Sequence, residues 1–513
     1  MFHYSKTFYF LSRFYLCGGE MLKLRKYINT TDDLFVVKNL IGAILQGIGL
    51  AYLVPGLLVW IYRSEMSYIP YFAIPGFISI LLGAWMGRHI GKIEDVNLRQ
   101  AMVSAAFVWL FASLISVIPF MFIAKMSFID SYFESMSAWT GTGLTMMSHL
   151  ESYPHVILFW RAWMQWLGGI GIVLVALTVL IRPGVAAARL YKAEARSERI
   201  MPNLVNTAKV IFEIYFFLTL VGVYLYYING MSLFDAVIHS MTGLGTGGMS
   251  SHDLSIGYFN SLSIEAVTIF LMIMGATNFT VHYRMFRERS LSRFFKDIQV
   301  RYMFFFLIPA IILIAYSLIQ TNMSVGRAFR EAIFHAVSAV TCTGFGIDNL
   351  NKYPELAKFM IGFLMVVGGG AGSTAGGIKL IRVTLMYESL KWTIEQAILP
   401  KGAIIKRKVG DYIFSDEEIQ EVLSFTMTYF AFLLIGTIWL MLRLRVSLVN
   451  AFFEVASAQG NVGLSVGITS PSLPIDVKIL LILHMWIGRL EIFSTLVFIV
   501  SAFLLVPRLV ERK

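Results

Sequence analysis

The chain repeats one short segment four times, and this repeat restricts the possible folds more than any other feature. In each copy a Glu or His is followed nine positions later by a glycine, with a Ser or Thr at the third position after it. The glycines lie 105, 96 and 119 residues apart, so a unit of about one hundred residues is repeated. The copies begin at Glu134, His239, His335 and Glu454, carry Ser137, Thr242, Ser338 and Ser457, and end at Gly143, Gly248, Gly344 and Gly463.

Composition places these units in a membrane. Of the 513 residues, 57% are hydrophobic and only 14% are charged, whereas a soluble domain carries about 25% charged residues. The mean hydropathy is +0.70, and several apolar runs exceed the roughly 20 residues that a helix needs to cross a bilayer. The net charge of +11 comes from basic residues between these runs, which favours cytoplasmic loops over a nucleic-acid-binding patch. Cys17 and Cys342 lie too far apart for a disulfide framework or a CxxC metal site.

The apolar pattern predicts an all-α polytopic membrane protein. Two apolar segments at 37–61 and 68–90 form an N-terminal hairpin, and each unit then has a first helix, a short segment, the glycine, a polar loop and a second helix. The short segments cannot cross a bilayer and favour re-entrant helices, which need protein or water around them at membrane depth. First helices are predicted at 100–124, 203–228, 297–319 and 418–442, short segments at 128–139, 232–244, 327–340 and 447–459, and second helices at 155–181, 260–284, 355–392 and 474–507. The predicted divisions are an N terminus (1–36), the hairpin (37–97) and units at 98–183, 200–290, 296–400 and 416–510.

Charge predicts the orientation of these helices. Lys and Arg cluster in the three junctions between units, at 182–209, 284–301 and 391–408, and are scarce in the loops that follow the four glycines. The positive-inside rule therefore places the junctions and both termini in the cytoplasm, with ten spanning and four re-entrant helices. Residues 1–20 do not resemble a secretory signal, and both Met1 and Met21 are candidate starts. The basic segment 184–199 is amphipathic and suits either the membrane surface or a cytosolic partner.

Four re-entrant helices that each lead into a glycine-bearing segment predict a site for a cation. In K⁺ channels, backbone carbonyls replace the water shell of the ion, and glycine allows successive carbonyls to point at one axis. One such segment cannot enclose an ion, whereas four around a pseudo-fourfold axis can, with the negative ends of the helix dipoles facing the ion. The alternative is four ordinary turn glycines, which four aligned copies disfavour. The predicted K⁺ ligands are Thr142, Gly143, Gly247, Gly248, Thr343, Gly344, Val462 and Gly463.

The chain resembles the Trk/Ktr/HKT superfamily of potassium transporters over residues 35–510. The resemblance rests on the four glycine segments and on three further motifs: Gln165-Trp-Leu-Gly-Gly-Ile-Gly171, Gly368-Gly-Gly-Ala-Gly-Ser-Thr-Ala-Gly-Gly-Ile-Lys379, and Gly488-Arg-Leu-Glu491. The extra N-terminal hairpin is similar to the bacterial and archaeal Trk branch. Glycine in all four segments implies a preference for K⁺ over Na⁺ within this family.

The second helices contain a separate signal. The mid-helix glycines Gly168, Gly275, Gly368 and Gly488 are followed by Gly169, Ala276, Gly369 and Arg489, so three small residues and one arginine are expected to face the axis. A charge at membrane depth is expensive and is by default a functional candidate. Arg489 is therefore either an electrostatic barrier to cations or half of a structural pair with Glu491 or another acid.

Residues 368–377 consist mostly of Gly and Ala, which disfavours a continuous helix at about 1 kcal/mol per glycine. The resemblance implies an intramembrane loop that plugs the cavity below the glycines and moves to open it. The predicted gating residues are Gly368, Gly369, Gly370, Gly372, Ser373, Thr374, Gly376, Gly377 and Arg489. Gly370–Ala375 also matches GxGxxA, but a dinucleotide site would need a preceding strand in a βαβ unit.

These features predict a K⁺ uptake subunit of the plasma membrane, and not an enzyme. K⁺ is the expected transported ion, and no organic cofactor or nucleic acid is expected. The resemblance implies a homodimer in membrane lipid that docks a cytosolic ring of nucleotide-binding regulatory subunits. The rival hypothesis is an ion-coupled secondary transporter of Na⁺ or a small solute, which predicts inverted repeats and acids near mid-membrane. Coupling to H⁺ or Na⁺, and the regulatory nucleotide, stay open.

Overall fold

The computed structural model describes residues 30–89, 96–171, 204–400, 405–410 and 412–510, and the regular secondary structure of these residues is helical apart from one small hairpin. The N-terminal pair and unit 1 contain α1 (Thr30–Leu58), α2 (Pro70–Gly87), α3 (Leu98–Ile115), α4 (Val117–Phe122), α5 (Phe128–Thr140) and α6 (His155–Ile170). Unit 2 and the following junction contain α7 (Leu204–Ile228), α8 (Leu233–Leu244), α9 (Leu262–Ala276), α10 (Phe279–Glu288) and α11 (Ser292–Lys296). Units 3 and 4 contain α12 (Ile298–Ile319), α13 (Val325–Val340), α14 (Glu355–Val367), α15 (Leu380–Ile398), β1 (Lys408–Val409), β2 (Tyr412–Ile413), α16 (Asp416–Leu444), α17 (Leu448–Gln459), α18 (Ile475–Arg489) and α19 (Phe493–Val510).

The four short segments are helices of 12 to 16 residues: α5, α8, α13 and α17. Each follows a serine N-cap, and the hydroxyls of Ser127, Ser232 and Ser447 accept the backbone N–H three residues later. Each ends three or four positions before the glycine of its unit. We call the side with the loops after these glycines the outer side, and the opposite side the inner side. The limits of the units themselves remain a prediction.

The second helices are not continuous, and the predictions of unbroken helices at 260–284 and 474–507 were wrong. The chain bends by 103° between α9 and α10, and by 114° between α18 and α19. In unit 2 the side chain of Asn278 accepts the N–H of Thr280 and caps a new helix. In unit 4, Glu491 and Ile492 have φ values of 51° and 58°, which no helix can contain. The predicted interruption at 368–377 is present, since α14 ends at Val367 and α15 begins at Leu380.

Six helical stretches within the described residues are long and apolar enough to cross a membrane, or eight if each bent pair counts as one span. The ten predicted spans also include the second helices of units 1 and 3. The predicted range of the first extends beyond the described residues, and the second is divided by the interruption at 368–377, so the total stays a prediction. The predicted continuation of the unit 1 second helix to 181 and the amphipathic segment 184–199 lie outside the described residues.

The N-terminal helices α1 and α2 pack through glycines. A Cβ on Gly42 would lie 2.3 Å from the backbone nitrogen of Gly87, and one on Gly83 would lie 2.7 Å from the carbonyl oxygen of Gly42. Such close backbone contact is typical of helices that associate through small residues in a bilayer. Gly56 of α1, by contrast, has no atom within 4 Å of the position that a Cβ would occupy.

The outer loops of units 1 and 2 are joined by polar contacts. The Asp253 carboxylate accepts the N–H groups of His149 and Leu150 at 2.8 and 2.9 Å. The His252 ring lies 3.3 Å from Glu151 and 3.4 Å from Asp235, measured between nitrogen and carboxylate oxygen. Partial burial disfavours the charged imidazolium, but the two carboxylates outweigh it and raise the pKa of His252.

The glycine packing of the hairpin predicts unequal effects of two matched substitutions. Gly42→Ala should lower the thermal midpoint by several degrees, because overpacking costs about 1–3 kcal/mol. Gly56→Ala adds the same methyl group to the same helix and should leave the midpoint unchanged or slightly raised. Thermal unfolding of both variants in one detergent measures the difference, and equal midpoints would contradict the packing.

The raised pKa of His252 predicts a pH-dependent contribution to stability. Its stabilisation is fully present below the unfolded pKa near 6.5 and is lost as the pH rises through the folded pKa. His252→Gln should therefore lower the thermal midpoint more at about pH 6 than at about pH 9. His149→Asn, at an exposed histidine of the neighbouring loop, is the control. An equal effect of His252→Gln at both pH values would show that the imidazolium is not the stabilising species.

Candidate functional site

The four repeated glycines close into a ring. A Cβ on Gly143 would lie 2.1 Å from the carbonyl oxygen of Gly247, in the next unit. The same contact recurs around the chain. A Cβ on Gly248 would lie 2.1 Å from Thr343 O, one on Gly344 2.0 Å from Val462 O, and one on Gly463 2.3 Å from Thr142 O. Unit 4 therefore closes onto unit 1, and each contact is made to the residue just before a repeated glycine. We call these eight residues the glycine ring.

Glycine is required at these four positions for two reasons. Their φ values are 88°, 69°, 89° and 101°, a region in which L side chains are strained. A Cβ at 2.0–2.3 Å from a carbonyl oxygen would also overlap it. The predicted ligand residues are therefore brought together by backbone contacts between successive units.

The short helices fix the ring residues by the same bond in every unit. The carbonyls of Ser137, Thr242, Ser338 and Ser457 accept N–H groups from the residues that precede the repeated glycines, at 2.8–2.9 Å. In units 3 and 4 the serine hydroxyl also accepts the N–H of the glycine itself, at 3.1 Å for Gly344 and 3.0 Å for Gly463. The hydroxyl bonds explain the serine at the third position in units 3 and 4; in unit 2 the Thr242 hydroxyl donates to Ile238 O of its own helix.

The leading Glu or His of each copy holds the chain on the outer side of the ring. Glu134 accepts the N–H of Met146 at 2.8 Å, and Glu454 accepts that of Val466 at 3.3 Å. The ring of His239 lies 2.9 Å from the hydroxyl of Ser250, and that of His335 accepts the N–H of Ile347 at 3.3 Å. Both histidines thus form hydrogen bonds within their own units.

Arg161 joins the first two units beside the ring. Its guanidinium donates to Glu134 at 2.8 Å and to the carbonyl of Ser250 at 3.1 Å. The side chains of Arg161 and Glu134 are 2% and 0% exposed. A buried pair of this kind needs both partners, because removing one leaves an uncompensated charge.

The mid-helix glycines of three second helices lie against the ends of the short helices. A Cβ on Gly168 would lie 2.0 Å from Trp139 O, one on Gly275 2.4 Å from Leu244 O, and one on Gly488 2.0 Å from Gln459 O. Gly368 differs, because a Cβ there would lie 2.3 Å from Gly376 O, within its own loop. The predicted equivalence of the four glycines therefore holds in units 1, 2 and 4.

The interruption in unit 3 forms a loop on the inner side of the ring, and unit 2 holds it. The N–H of Gly370 donates to Ala276 O at 2.8 Å, and the N–H of Phe279 donates to Gly372 O at 3.2 Å. The hydroxyl of Thr374 lies 2.9 Å from Gly275 O and 3.0 Å from the hydroxyl of Thr246. Gly376 closes against unit 4, where a Cβ would lie 2.1 Å from Gly460 O. The other predicted gating residues belong to the same loop: Gly368, Gly369, Ser373 and Gly377.

Arg489 spans three units on the inner side of the ring. Its guanidinium donates to the carbonyls of Gly168 and Gly169 in unit 1 and, at 3.4 Å, to that of Thr374 in the loop. It also lies 5.2 Å from the ring centre of Trp109. The sequence left open that Arg489 forms a structural ion pair with Glu491. The carboxylate of Glu491 is bonded by Arg382 and lies 3.7 Å from Lys379 Nζ.

Two residues at the ring were not assigned from the sequence. Gln165 donates to Gly247 O at 2.6 Å and accepts the N–H of Met249 at 3.0 Å. Asn461 donates to the hydroxyl of Thr142 and to Met485 O, both at 2.9 Å. Gln165 could have been suspected, because it is a lone amide in an apolar helix. Asn461 gave no signal, since the repeat has a different residue at this position in every unit.

Known proteins resemble this chain over most of its length. Residues 69–504 match the family model described as TrkH, cation transport protein. An uncharacterised cation transporter of Methanocaldococcus jannaschii is 36% identical, covering 94% of this chain and 99% of that protein. The Trk system potassium uptake protein TrkH of Halomonas elongata is 32% identical, covering 92% and 99%.

A solved structure shares the fold. The crystal structure of the potassium transporter TrkH from Vibrio parahaemolyticus matches with a TM-score of 0.79 at 28% identity, covering 90% of this chain and 98% of that one. The expected relationship to the Trk branch and the all-α membrane fold are confirmed. The chain belongs to the TrkH family of cation transport proteins.

Proposed function

We propose that this protein takes up K⁺ across the plasma membrane through the glycine ring. The observation that carries the proposal is the closure of the ring, in which four backbone carbonyls from four units each lie against the repeated glycine of a neighbouring unit. In the proposal these carbonyls share one axis. Carbonyls in this arrangement can replace the water shell of an alkali cation. Relatives named as potassium uptake proteins support K⁺ as the ion, and their names describe transport rather than catalysis.

In this proposal the eight residues of the glycine ring are the K⁺ ligands: Thr142, Gly143, Gly247, Gly248, Thr343, Gly344, Val462 and Gly463. The C-terminal ends of the four short helices lie next to the ring and add a negative potential that favours a cation. The bonds from the short helices and from Gln165 hold the carbonyls in position without an ion-dependent rearrangement.

The gate in this proposal is the loop from Gly368 to Gly377 together with Arg489. The loop lies on the inner side of the ring, and its bonds to unit 2 run through Gly370, Gly372 and Thr374. Arg489 bonds the loop to unit 1, so a movement of the loop changes the position of a fixed positive charge near the path. Movement of the loop away from unit 2 opens the route from the ring to the inner side.

The assembly and its surroundings are part of the same proposal. Both termini and the basic junctions face the cytoplasm, in accordance with the positive-inside rule. The chain works as a homodimer in membrane lipid, and its basic inner face docks a ring of nucleotide-binding regulatory subunits. Blue-native electrophoresis and cross-linking with that subunit test the two contacts separately.

Substitution of the ring glycines tests the transport site. Gly143→Ser, Gly248→Ser and Gly344→Ser each put a side chain where a carbonyl lies 2.0–2.1 Å away, so the carbonyls must move and the preference for K⁺ over Na⁺ should fall severalfold. The measurement is ⁸⁶Rb⁺ uptake into proteoliposomes with Na⁺ or K⁺ as competitor. Gly326→Ser, at an open position of the short helix in unit 3, is the control. Unchanged K⁺ over Na⁺ selectivity in all three ring variants would contradict the assignment of the glycine ring as the transport site.

Substitution of Arg489 tests the gate. A cation about 6 Å from a guanidinium meets a repulsion of roughly 3 kcal/mol at an effective dielectric constant near 20, or about a hundredfold in rate. Arg489→Ala should therefore raise Rb⁺ uptake per folded molecule, and Arg489→Lys should preserve most of the restraint because its charge remains.

Both variants are compared at matched amounts of monodisperse protein and at several K⁺ concentrations. A purely structural arginine predicts the opposite pattern, with both variants losing folded protein because the bonds to Gly168, Gly169 and Thr374 are lost. Slower uptake by well-folded Arg489→Ala would show that the charge does not restrain conduction.

A further inference from the structure

The stretch between units 2 and 3 combines exposed apolar side chains with exposed basic ones. The large apolar side chains of Phe286, Leu291 and Phe295 are 43%, 72% and 61% exposed. The basic residues of the same stretch are exposed as well: Arg284, Arg287, Arg289, Arg293 and Lys296. We call residues 284–296, which include the end of α10 and all of α11, the inner junction. Such a surface fits a partner that is apolar in one part and anionic in another.

The acids in and beside the inner junction do not neutralise its positive charge. Glu288 pairs with Arg293, and the side chain of Asp297 accepts N–H groups at the start of α12. Three basic side chains of the inner junction form no ion pair with a carboxylate of the described residues: Arg284, Arg289 and Lys296. The inner junction therefore keeps a net positive charge, and a partner that contacts it should be anionic.

The inner junction lies at the level of the lipid headgroups. The helix that follows it, α12, has no charged residue from Tyr302 to Ile319, a stretch of about 27 Å that nearly matches the hydrocarbon thickness of a bilayer. The headgroups therefore begin at the first turn of α12. Because the chain bends by 103° after α9, α10 runs along this boundary rather than through it. The ring of Phe286 lies 5.9 Å from that of Phe217, an exposed residue of the apolar helix α7.

The opposite end of α10 contacts the loop of unit 3. The N–H of Phe279 donates to Gly372 O at 3.2 Å, and a Cβ on Gly372 would lie 3.1 Å from Asn278 Oδ1. The ring of His282 lies 2.8 Å from Met274 O and ties α10 to the end of α9. One short helix thus has the loop at its first residue and the inner junction at its last turn. A partner that fixes the inner junction also fixes the contacts of this helix with the loop.

We propose that the inner junction binds anionic phospholipid of the inner leaflet, and that the bound lipid holds the loop in its observed position against unit 2. The Phe and Leu side chains enter the acyl layer while the basic side chains contact phosphate, as in amphipathic segments that lie in a membrane interface. A soluble protein would reach the arginines but not Phe286, which lies beside the spanning helix α7. The effect on the loop rests on the proposed function, in which movement of the loop away from unit 2 opens the path.

Binding of phosphatidylglycerol, an anionic phospholipid, tests the site without transport. A fluorescent form is titrated into the purified protein in a nonionic detergent. The double variant Arg284→Gln, Arg289→Gln should bind it about thirtyfold more weakly than the wild type, the change expected for two basic residues at an anionic surface. The double variant Lys406→Gln, Lys408→Gln is the matched control. It removes the same charge from exposed positions at the small hairpin and should bind the lipid as the wild type does.

Rb⁺ uptake tests the effect of the lipid on the loop. The three proteins are reconstituted into vesicles of phosphatidylcholine alone and of an equal mixture with phosphatidylglycerol. The wild type and the control variant should take up Rb⁺ severalfold more slowly in the mixture, because bound lipid keeps the loop against unit 2. The variant without Arg284 and Arg289 should take up Rb⁺ at nearly the same rate in both vesicles.

The possible results separate the site, its effect and the transport function. Wild type that binds no phosphatidylglycerol, or an arginine double variant that binds it equally well, overturns the site. Equal slowing of that variant by phosphatidylglycerol overturns the effect on the loop. If the variant loses cross-linking to the regulatory subunit but keeps the lipid, the surface belongs to that subunit and the proposal is overturned. Wild type that takes up no Rb⁺ in either vesicle contradicts the proposed function, whereas a thirtyfold difference in binding still supports the lipid site.

Discussion

The close approach of backbone to backbone at the four repeated glycines is the contact on which the rest of the structure depends. Each glycine leaves room for the carbonyl of the next unit at 2.0–2.3 Å from the place of a Cβ, so four segments from distant parts of the chain can meet. No other residue type allows this approach at the observed φ values. The remaining contacts around the ring keep these backbones from moving apart. They include the helix carbonyls that fix the ring N–H groups, the leading Glu and His side chains, and the buried pair of Arg161 and Glu134.

The breaks in the second helices supply the polar groups that hold the inner side together. A helix end leaves its last carbonyls without partners, and at membrane depth such groups must be satisfied within the protein. The end of α9 offers Gly275 O and Ala276 O, which accept bonds from Thr374 and Gly370 of the loop. The end of α6 offers Gly168 O and Gly169 O, which accept bonds from Arg489. Arg489 is thus a C-terminal cap of α6, and in the proposed function it is also a charge beside the ion path.

The ring could be predicted from the sequence because its signal is local and is repeated. Glycine, hydroxyl and leading residue recur at fixed offsets, and the bonds that hold each ring segment to its own short helix lie within one unit. The bends at Thr277–Asn278 and at Leu490–Ile492 were missed because neither site itself contains Gly or Pro and the segments on both sides are largely apolar. The partners of Arg489 and Gln165 were also missed, because they belong to other units. A pattern along the chain carries no information about which unit supplies the acceptor.

The four units are alike at the ring and different directly beneath it, and the reason is physical. The ring is closed only if every unit presents the same backbone geometry, so a change in one glycine disturbs two neighbours. The inner side has no such requirement: the mid-helix glycines are followed by Gly169, Ala276, Gly369 and Arg489, and Gly369 lies in the loop while Arg489 bonds to unit 1. In the proposed function, ion recognition therefore rests on what the units share, whereas control of the path rests on where they differ. A single loop and a single arginine are enough for the proposed gate, because every ion that leaves the ring would pass the same inner side.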